Sequence, residues 1–182
     1  MYALASIRMG TASQADPELS LTEWVVLAVV AEAPTHGFAV AKQLAPGTDL
    51  GRIITVHRPL VYRALARLAA ADLVAAGDPE PGSGGPNRVT QHVTPTGGAA
   101  LDRWLDRPVD HIRDLRIEFL LKLRLNQRRR RSVTELVQAQ QGRLSDTFAR
   151  LDATDGDDLV VMWRRHSAAA ARSFLSSLAA TR

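Results

Sequence analysis

Apolar residues recur at spacings of three and four along much of this chain, which is the spacing of amphipathic helices. The first such segment opens with a capping box pattern, since Ser20 can cap a helix and Glu23 follows three residues later. Its apolar positions are Trp24, Leu27, Val30 and Ala31. Pro34 ends the segment, so the pattern predicts a first helix between Ser20 and Pro34.

A shorter second helix follows. Thr35 can cap its N-terminus, and Pro46 and Gly47 close it. Its apolar side consists of Phe38, Ala41 and Leu44. A loop with a short apolar piece at 52–56 then leads to a third helix, which Pro59 opens in its first turn.

The third helix, at 59–70, has two chemically different faces when its residues are placed at about 100° per residue. The apolar face consists of Val61, Ala64, Leu65 and Leu68. Arg63 and Arg67 lie on the opposite face among small residues, which would let this face approach a groove closely. Arg58 stands at the helix N-terminus, where a cation opposes the helix dipole, and a bound phosphate would explain that choice.

Two short β candidates, at 73–76 and 89–93, flank a glycine-rich turn at 80–88. Thr94 can cap the helix that follows, with Pro95 at its first position. The apolar side of that helix consists of Leu101, Trp104 and Leu105. A basic helix followed by a two-stranded wing with a flexible, cationic tip fits DNA, with the helix in the major groove and the wing along the backbone.

The second half of the chain is predicted to be helical throughout. Ser132 and Glu135 form another capping box pattern, and Asp155 can cap the last helix. The stripes of these helices are more apolar than a small helical hairpin needs, so we expect a two-fold dimer through this region. The residues expected at the dimer interface are Leu144, Phe148, Trp163 and Phe174, with Trp24 of the first helix.

These elements predict a mainly α fold with a small β wing. We expect a mobile N-terminal arm at 1–18, a winged helix-turn-helix DNA-binding domain at 19–108 and a C-terminal helical dimerisation domain at 109–182. Pro108 marks the predicted boundary between the two domains.

Composition narrows the function further. Lys and Arg together number 23 against 19 Asp and Glu, a net charge of +4, and most of the cations are arginine, which suits phosphate and guanine contacts. The absence of cysteine excludes disulfides and thiolate metal sites. With no signal peptide and no apolar run of membrane-spanning length, we expect a soluble, cytoplasmic protein that does not engage a membrane.

The sequence offers no catalytic pattern, so we expect neither an enzyme nor a cofactor. The five histidines lack the paired spacing of metal ligands, and no metal site is expected. His36 is interpreted as a structural hydrogen-bonding group. The acidic run at 155–158 lacks the calcium-loop pattern and is better explained as a helix start.

The candidate DNA-binding residues come from the second helix, the third helix and the wing. They are Lys42, Gln43, Arg58, Leu60, Tyr62, Arg63, Arg67, Asn87 and Arg88. For Arg63 and Arg67 the alternative is an ordinary solvated helix face, and Tyr62 could instead pack under the wing. The four arginines at 128–131 are interpreted as a solvated helix end, although a nucleic-acid contact is the alternative.

The chain resembles the PadR family of winged-helix transcriptional regulators over residues 20–106. The matching pieces, in order, are 21–22, 36–38, 61–68, 85–88 and 93–97, and the segment at 114–122 is similar to longer members of the family. Two positions depart from the family pattern: Pro59 and Leu60 replace its usual Gly and Thr, and Thr90 and Gln91 replace its paired tyrosines. The fold inference survives these departures, whereas the detailed DNA contacts do not carry over.

The resemblance implies a homodimeric, sequence-specific regulator that binds double-stranded DNA at an inverted repeat, and a repressor released by a small-molecule effector. It also implies that Trp104 could line a pocket for a flat aromatic effector at the dimer centre, with plain packing in the dimer core as the alternative. Two other functions remain open from the sequence: a winged-helix protein–protein adaptor and sequence-independent DNA packaging.

Overall fold

The computed structural model describes residues 17–80, 88–154, 156 and 158–180, and in these the chain is mainly helical with one small sheet. The helices are α1 (Leu21–Glu32), α2 (Gly37–Gln43), α3 (Arg58–Ala70), α4 (Pro95–Asp106), α5 (Glu118–Arg128), α6 (Thr134–Asp152) and α7 (Leu159–Ala180), with a short 3₁₀ helix at Ile112–Arg116 between α4 and α5. The strands are β1 (Val74–Glu80) and β2 (Arg88–Val93). The predicted arm at 1–18 lies almost entirely outside the described residues.

Helix α1 is the centre of the N-terminal part, and its predicted capping box is confirmed. The Glu23 backbone N–H donates to Ser20 Oγ at 3.3 Å, and the Ser20 N–H donates to Glu23 Oε2 at 2.6 Å. The helix does not have a single buried face, however, because every residue from Trp24 to Val30 is buried. Helix α1 is therefore enclosed by its neighbours on all sides.

The start of α2 differs from the prediction. His36, not Thr35, caps this helix, with its Nδ1 accepting a hydrogen bond from the Ala39 N–H at 3.0 Å. The backbone of Thr35 instead pairs with Gln91 of β2 through two hydrogen bonds of 2.6 and 3.0 Å. The expected structural role of His36 is confirmed, and the wing is tied to the start of the helix-turn-helix.

The two strands form the antiparallel wing that the sequence predicts, although both are longer than expected. Val74 pairs with Val93, and the register shifts between Ala76 and Pro79. Thr94 caps α4 as predicted, because its Oγ1 accepts from the Gly97 N–H at 3.0 Å. A Cβ on Gly97 would lie only 2.0 Å from the Leu73 carbonyl oxygen, so glycine is required where α4 passes the wing.

The buried apolar residues fall into two clusters that share α5. Leu121 and Leu125 join the cluster built around α1, whereas Phe119 and Leu123 join the cluster of α6 and α7. Helix α5 thus links the two halves of the chain. The domain boundary at 108 remains a prediction.

The N-termini of α6 and α7 also differ from the sequence pattern. Ser132 Oγ accepts from the Thr134 N–H at 3.2 Å, so the predicted capping box with Glu135 does not form. The predicted cap Asp155 lies outside the described residues. Asp158 Oδ2 accepts from the N–H groups of Val160 and Val161 and holds the start of α7 instead.

A buried ammonium group lies where α5 meets the end of α4. Lys122 is 1% exposed, and its Nζ donates to the Arg107 carbonyl at 2.8 Å and pairs with Glu118 at 2.8 Å. It also lies 4.9 Å from the centroid of the Trp104 ring. Burial lowers the pKa of Lys122, and the hydrogen bond with Glu118 acts in the opposite direction. The cation compensates the C-terminal end of α4.

Candidate nucleic-acid interface

Helix α3 presents the two faces that its sequence predicts. Its buried residues are Val61, Ala64, Leu65 and Leu68, which confirms the predicted apolar face. The exposed residues include the candidates Arg58, Leu60, Tyr62, Arg63 and Arg67. The apolar face anchors the helix on the core, and the basic face is therefore available to a partner.

The first turn of α3 carries an arginine between two aromatic rings. Arg58 Cζ lies 5.3 Å from the centroid of the Phe38 ring of α2 and 5.6 Å from that of Tyr62. Both rings are themselves exposed, Phe38 by 56% and Tyr62 by 45%. The sequence pattern placed Phe38 on the apolar side of α2, and this interpretation was wrong, because the short helix buries Gly37 and Val40 instead.

The other two arginines of this face differ in their surroundings. Arg67 Nε lies 3.3 Å from Glu23 Oε1, and its side chain remains 64% exposed. No described carboxylate pairs with Arg63. Arg63 therefore carries its full charge to solvent, whereas the charge of Arg67 is partly balanced by α1. The sequence pattern gives no indication of this contact between Glu23 of α1 and the basic face of α3.

The two candidates at the end of α2 separate. Lys42 is exposed. Gln43 Oε1 accepts from Arg128 Nη2 of α5 at 2.6 Å, so its side chain is engaged with the rest of the protein. The role of Gln43 in the DNA contact remains a prediction.

The wing candidates are described only in part. Arg88 opens β2 and pairs with Glu80 in the strand register, which places it at the outer end of the wing. Asn87 lies outside the described residues. The roles of both in DNA binding remain predictions.

Trp104 is buried against the first helix of its own chain. It is 2% exposed and stacks on Trp24, with ring centroids 5.2 Å apart and planes within 6°. Lys122 covers another side of the ring. Trp104 is therefore packed in the core of its own chain, and its expected place in an effector pocket remains a prediction.

The residues expected at a dimer interface fall into two groups. Leu144 is 0% exposed and Phe148 is 7% exposed, because both pack in the core of their own chain, and Trp24 is buried against Trp104. Their burial needs no partner, and their assignment to the dimer interface remains a prediction. Trp163 is 73% exposed, and Phe174 is half-buried beside it.

Trp163 and Phe174 line one apolar groove. This open groove, of about 880 Å³, lies between the 3₁₀ helix and α7. Apolar side chains dominate its lining, among them Ile112, Leu120 and Leu151.

Three of the four arginines at 128–131, namely Arg128, Arg129 and Arg131, form an ion-pair cluster rather than a solvated helix end. Arg128 makes a two-point contact with Glu32 of α1 and approaches Asp49 at 3.5 Å. Arg129 pairs with Asp102 of α4 at 2.8 Å. Arg131 pairs with Asp102 at 3.3 Å and with Asp106 at 2.7 Å. We call these residues the α5 clamp, and the nucleic-acid alternative is not supported for them.

Beside this cluster, Arg124 of α5 pairs with Asp49 in the loop after α2, at 2.7 Å. The Arg124 guanidinium holds the pKa of the Asp49 carboxyl below its ordinary value, and Arg128 adds to that effect.

The described part of the chain holds no group of three or more side chains suited to a metal ion. No helix within these same residues is long and apolar enough to cross a membrane.

Comparison with known proteins locates the match in this N-terminal region. Residues 26–103, from within α1 to within α4, match the family model described as Transcriptional regulator PadR-like family. No curated protein matches the chain in sequence.

Similar solved structures were also found. Bacillus subtilis PadR in complex with operator DNA is 15% identical, with a TM-score of 0.48, and the similarity covers 88% of this chain and 98% of that one. A PadR family transcription regulator from Clostridium difficile is 18% identical, with a TM-score of 0.39, over 46% of this chain and 82% of that one. A PadR-like transcriptional regulator from Bacillus cereus is 16% identical, with a TM-score of 0.38, over 73% and 92%.

Proposed function

We propose that this chain, whose residues 26–103 match the PadR-like family of transcriptional regulators, is a DNA-binding homodimeric repressor which binds an inverted-repeat operator. The observation that carries this proposal is the exposed face of α3, where Arg58 and Arg63 lack a described carboxylate partner while the opposite face is fully buried. Such a helix can enter a major groove without disturbing the core.

Each element of the helix-turn-helix has a role in the proposed complex. Helix α3 lies in the major groove, with Arg63 and Arg67 directed at bases or flanking phosphates. Lys42 at the end of α2 and Arg88 at the start of β2 contact the backbone on either side. Leu60 and Tyr62 extend the contact at the first turn of α3, where an apolar side chain can meet a thymine methyl group.

Dimerisation through α7 completes the proposal. Four large apolar side chains of its first turns are exposed, by 78% for Leu159, 52% for Val160, 46% for Met162 and 73% for Trp163. A contiguous exposed apolar patch beside an apolar groove supports an interface with a second copy of the chain. We expect a dimer at micromolar concentration in sedimentation, and Trp163→Glu should yield folded monomers. A monomeric wild-type chain would contradict the proposal.

A two-fold dimer constrains the operator. The half-sites should form an inverted repeat on one face of the DNA, about one helical turn of 34 Å or a multiple of it apart. The test is selection of binding sites from a random-sequence duplex library with the full chain, followed by competition with bulk DNA. A regulator should prefer the selected site by about 10³-fold or more. A sequence-independent packaging protein would show no preference for the selected site over bulk DNA. A protein–protein adaptor would select no DNA site at all.

Variants then separate the two kinds of contact. If Arg88 contacts phosphate only, Arg88→Ala should weaken binding to all sequences similarly. It should also lower the steepness with which the logarithm of the binding constant falls with the logarithm of the salt concentration, by about 1. If Arg63 binds a guanine, Arg63→Ala should relax the preference at one position of each half-site. Wild-type affinity in both variants and in Arg67→Ala would mean that another surface binds DNA.

Release of the repressor by a small-molecule effector belongs to the proposal as well. The test is dissociation of the selected duplex when planar aromatic compounds are titrated into the complex. If the affinity for the duplex is the same at every compound concentration, effector release by this class of compound is excluded.

A further inference from the structure

The guanidinium group of Arg58 lies over two aromatic rings. Phe38 comes from α2 and Tyr62 from one turn further along α3, and the two ring centroids lie 5.3 and 5.6 Å from Arg58 Cζ. Stacking on aromatic faces is the arrangement in which a guanidinium keeps its in-plane N–H donors free. No carboxylate of a described residue accepts those donors.

The position of Tyr62 is itself fixed by a glycine. A Cβ on Gly37 would lie 2.8 Å from Tyr62 Cε1 and 3.1 Å from Leu65 Cδ1, so the ring packs directly on the backbone at the start of α2. Any side chain at this position would displace the Tyr62 ring from where it now lies. The His36 cap of α2 fixes the backbone from the other side, with its Nδ1 3.0 Å from the Ala39 N–H.

The location of the stack determines which part of DNA it faces. In a helix-turn-helix the first helix crosses the DNA backbone and the second enters the groove. Phe38 belongs to the first of these helices, α2, and Arg58 to the end of α3 that α2 contacts. The guanidinium therefore lies on the side of the helix pair that meets the backbone, and its planar fork matches a phosphate.

We propose that Phe38, Arg58 and Tyr62 form a preformed phosphate clamp in which Arg58 contacts one DNA phosphate of each half-site and Phe38 is a positioning residue. This inference rests on the proposed function and adds Phe38 to the interface. Preorganisation matters here because an unrestrained arginine loses rotamer freedom when it binds, whereas the stacked one has already lost it.

The test is a double-mutant cycle on the duplex selected from the random library, using the full chain. Arg58→Ala should weaken binding by about tenfold or more, the loss expected for a charge-assisted hydrogen bond. Phe38→Ala removes no charge, yet it should weaken binding by roughly two- to fivefold, in proportion to an exposed cation–π contact. In the Arg58→Ala background, Phe38→Ala should have no further effect.

Controls separate this outcome from others. Arg165→Ala, on the exposed surface of α7, removes the same charge and should leave binding nearly unchanged. Arg58→Lys keeps the charge but not the planar fork, and it should restore only part of the affinity. Thermal melting should show that Phe38→Ala remains folded, since Phe38 is mostly exposed.

Three results would contradict the proposed phosphate clamp of Phe38, Arg58 and Tyr62. Additive effects of Phe38→Ala and Arg58→Ala would mean that Phe38 acts independently of Arg58. Loss of preference at a single base pair in Arg58→Ala, instead of a uniform loss with a salt slope lower by about 1, would mean a guanine contact. Full affinity in Arg58→Lys would mean that charge alone matters. If no duplex is selected by the wild-type chain, it is the proposed function that fails.

Discussion

Two arginine-rich regions of this protein have opposite surroundings, although they look alike in the sequence. On α3, Arg58 and Arg63 lack described carboxylate partners and face solvent. In the α5 clamp, by contrast, Arg128, Arg129 and Arg131 all pair with carboxylates of α1, α4 or the loop after α2. An arginine run indicates nucleic-acid binding only after its intramolecular partners have been counted.

The comparison also explains how the two halves of the chain are held together. The clamp joins the end of α5 to α1 and α4 by ion pairs, while Leu121 and Leu125 of the same helix join the core around α1. The charges of Arg58 and Arg63 on α3 are available to a partner. The charges at the end of α5 instead pair with carboxylates of the same chain and hold α5 against α1 and α4. We therefore expect substitutions in the α5 clamp to affect stability more than DNA binding, and substitutions on the exposed face of α3 to do the reverse. Four predictions test this difference between the two regions.

The largest expected effect is on stability. Arg128→Met should lower the free energy of unfolding by about 2–3 kcal/mol, somewhat less than for a fully buried pair, because it leaves Glu32 unpaired in a site only about one-quarter exposed. Urea denaturation measures the loss. Arg63→Met is the matched control and should change stability by less than about 0.5 kcal/mol. Equal effects of the two substitutions would remove the distinction between the regions.

The second prediction concerns DNA binding, where we expect the substitution on α3 to have the larger effect. Arg63→Ala should weaken binding to the selected duplex by about 1–2 kcal/mol, in the lower part of the range for a base contact, because no described residue orients this side chain beforehand. Titration of the duplex measures the change. Arg129→Ala is the control, since Arg129 pairs with Asp102, and its folded fraction should bind normally. A larger loss of DNA affinity in Arg129→Ala than in Arg63→Ala would assign the DNA contact to the α5 clamp.

The sequence predicted the α3 face well, and the reason is local. Helical spacing alone decides which side chains of a regular helix share a face, so Val61 and Leu68 could be assigned to the core and Arg63 to the surface. The wing followed from its turn residues, and the caps at Ser20 and Thr94 followed from their spacing.

The partners of the clamp could not be predicted because they are far apart in the chain. Arg128 contacts Glu32 and Gln43 across 96 and 85 residues. Only the packing of α5 against α1 brings these groups together. The same limit explains the interpretation of Leu144 as an interface residue, since an apolar stripe looks identical whether it packs on its own chain or on a partner.

The prediction for the short helix α2 was wrong for a different reason. With seven residues, it has too few turns for its spacing to define a face, and Phe38 was assigned to the wrong side. Its contact with Arg58 depends on how α2 and α3 cross. A local pattern cannot supply that angle.

The third prediction concerns acid. Because Arg124 holds the pKa of Asp49 below its ordinary value of 3.8, the carboxylate contributes stability above that value and loses it as the pH falls through the lower, folded pKa. Asp49→Asn should therefore be less stable than wild type near neutral pH, by no more than about 1 kcal/mol for so exposed a pair. The difference should vanish in strong acid. Urea denaturation across pH measures it, with Asp146→Asn, an exposed carboxylate of α6, as control.

The smallest expected effect tests the one arginine of α3 that is paired. Glu23→Gln keeps a side chain that can accept the Ser20 N–H, so the cap of α1 should survive. It removes the carboxylate that lies 3.3 Å from Arg67 and frees that charge for DNA. We expect binding to the selected duplex to strengthen by about twofold, the scale of an exposed ion pair, and the gain should disappear in the Arg67→Ala background. An unchanged or weaker affinity in Glu23→Gln would mean that the ion pair directs Arg67 toward DNA instead of restraining it.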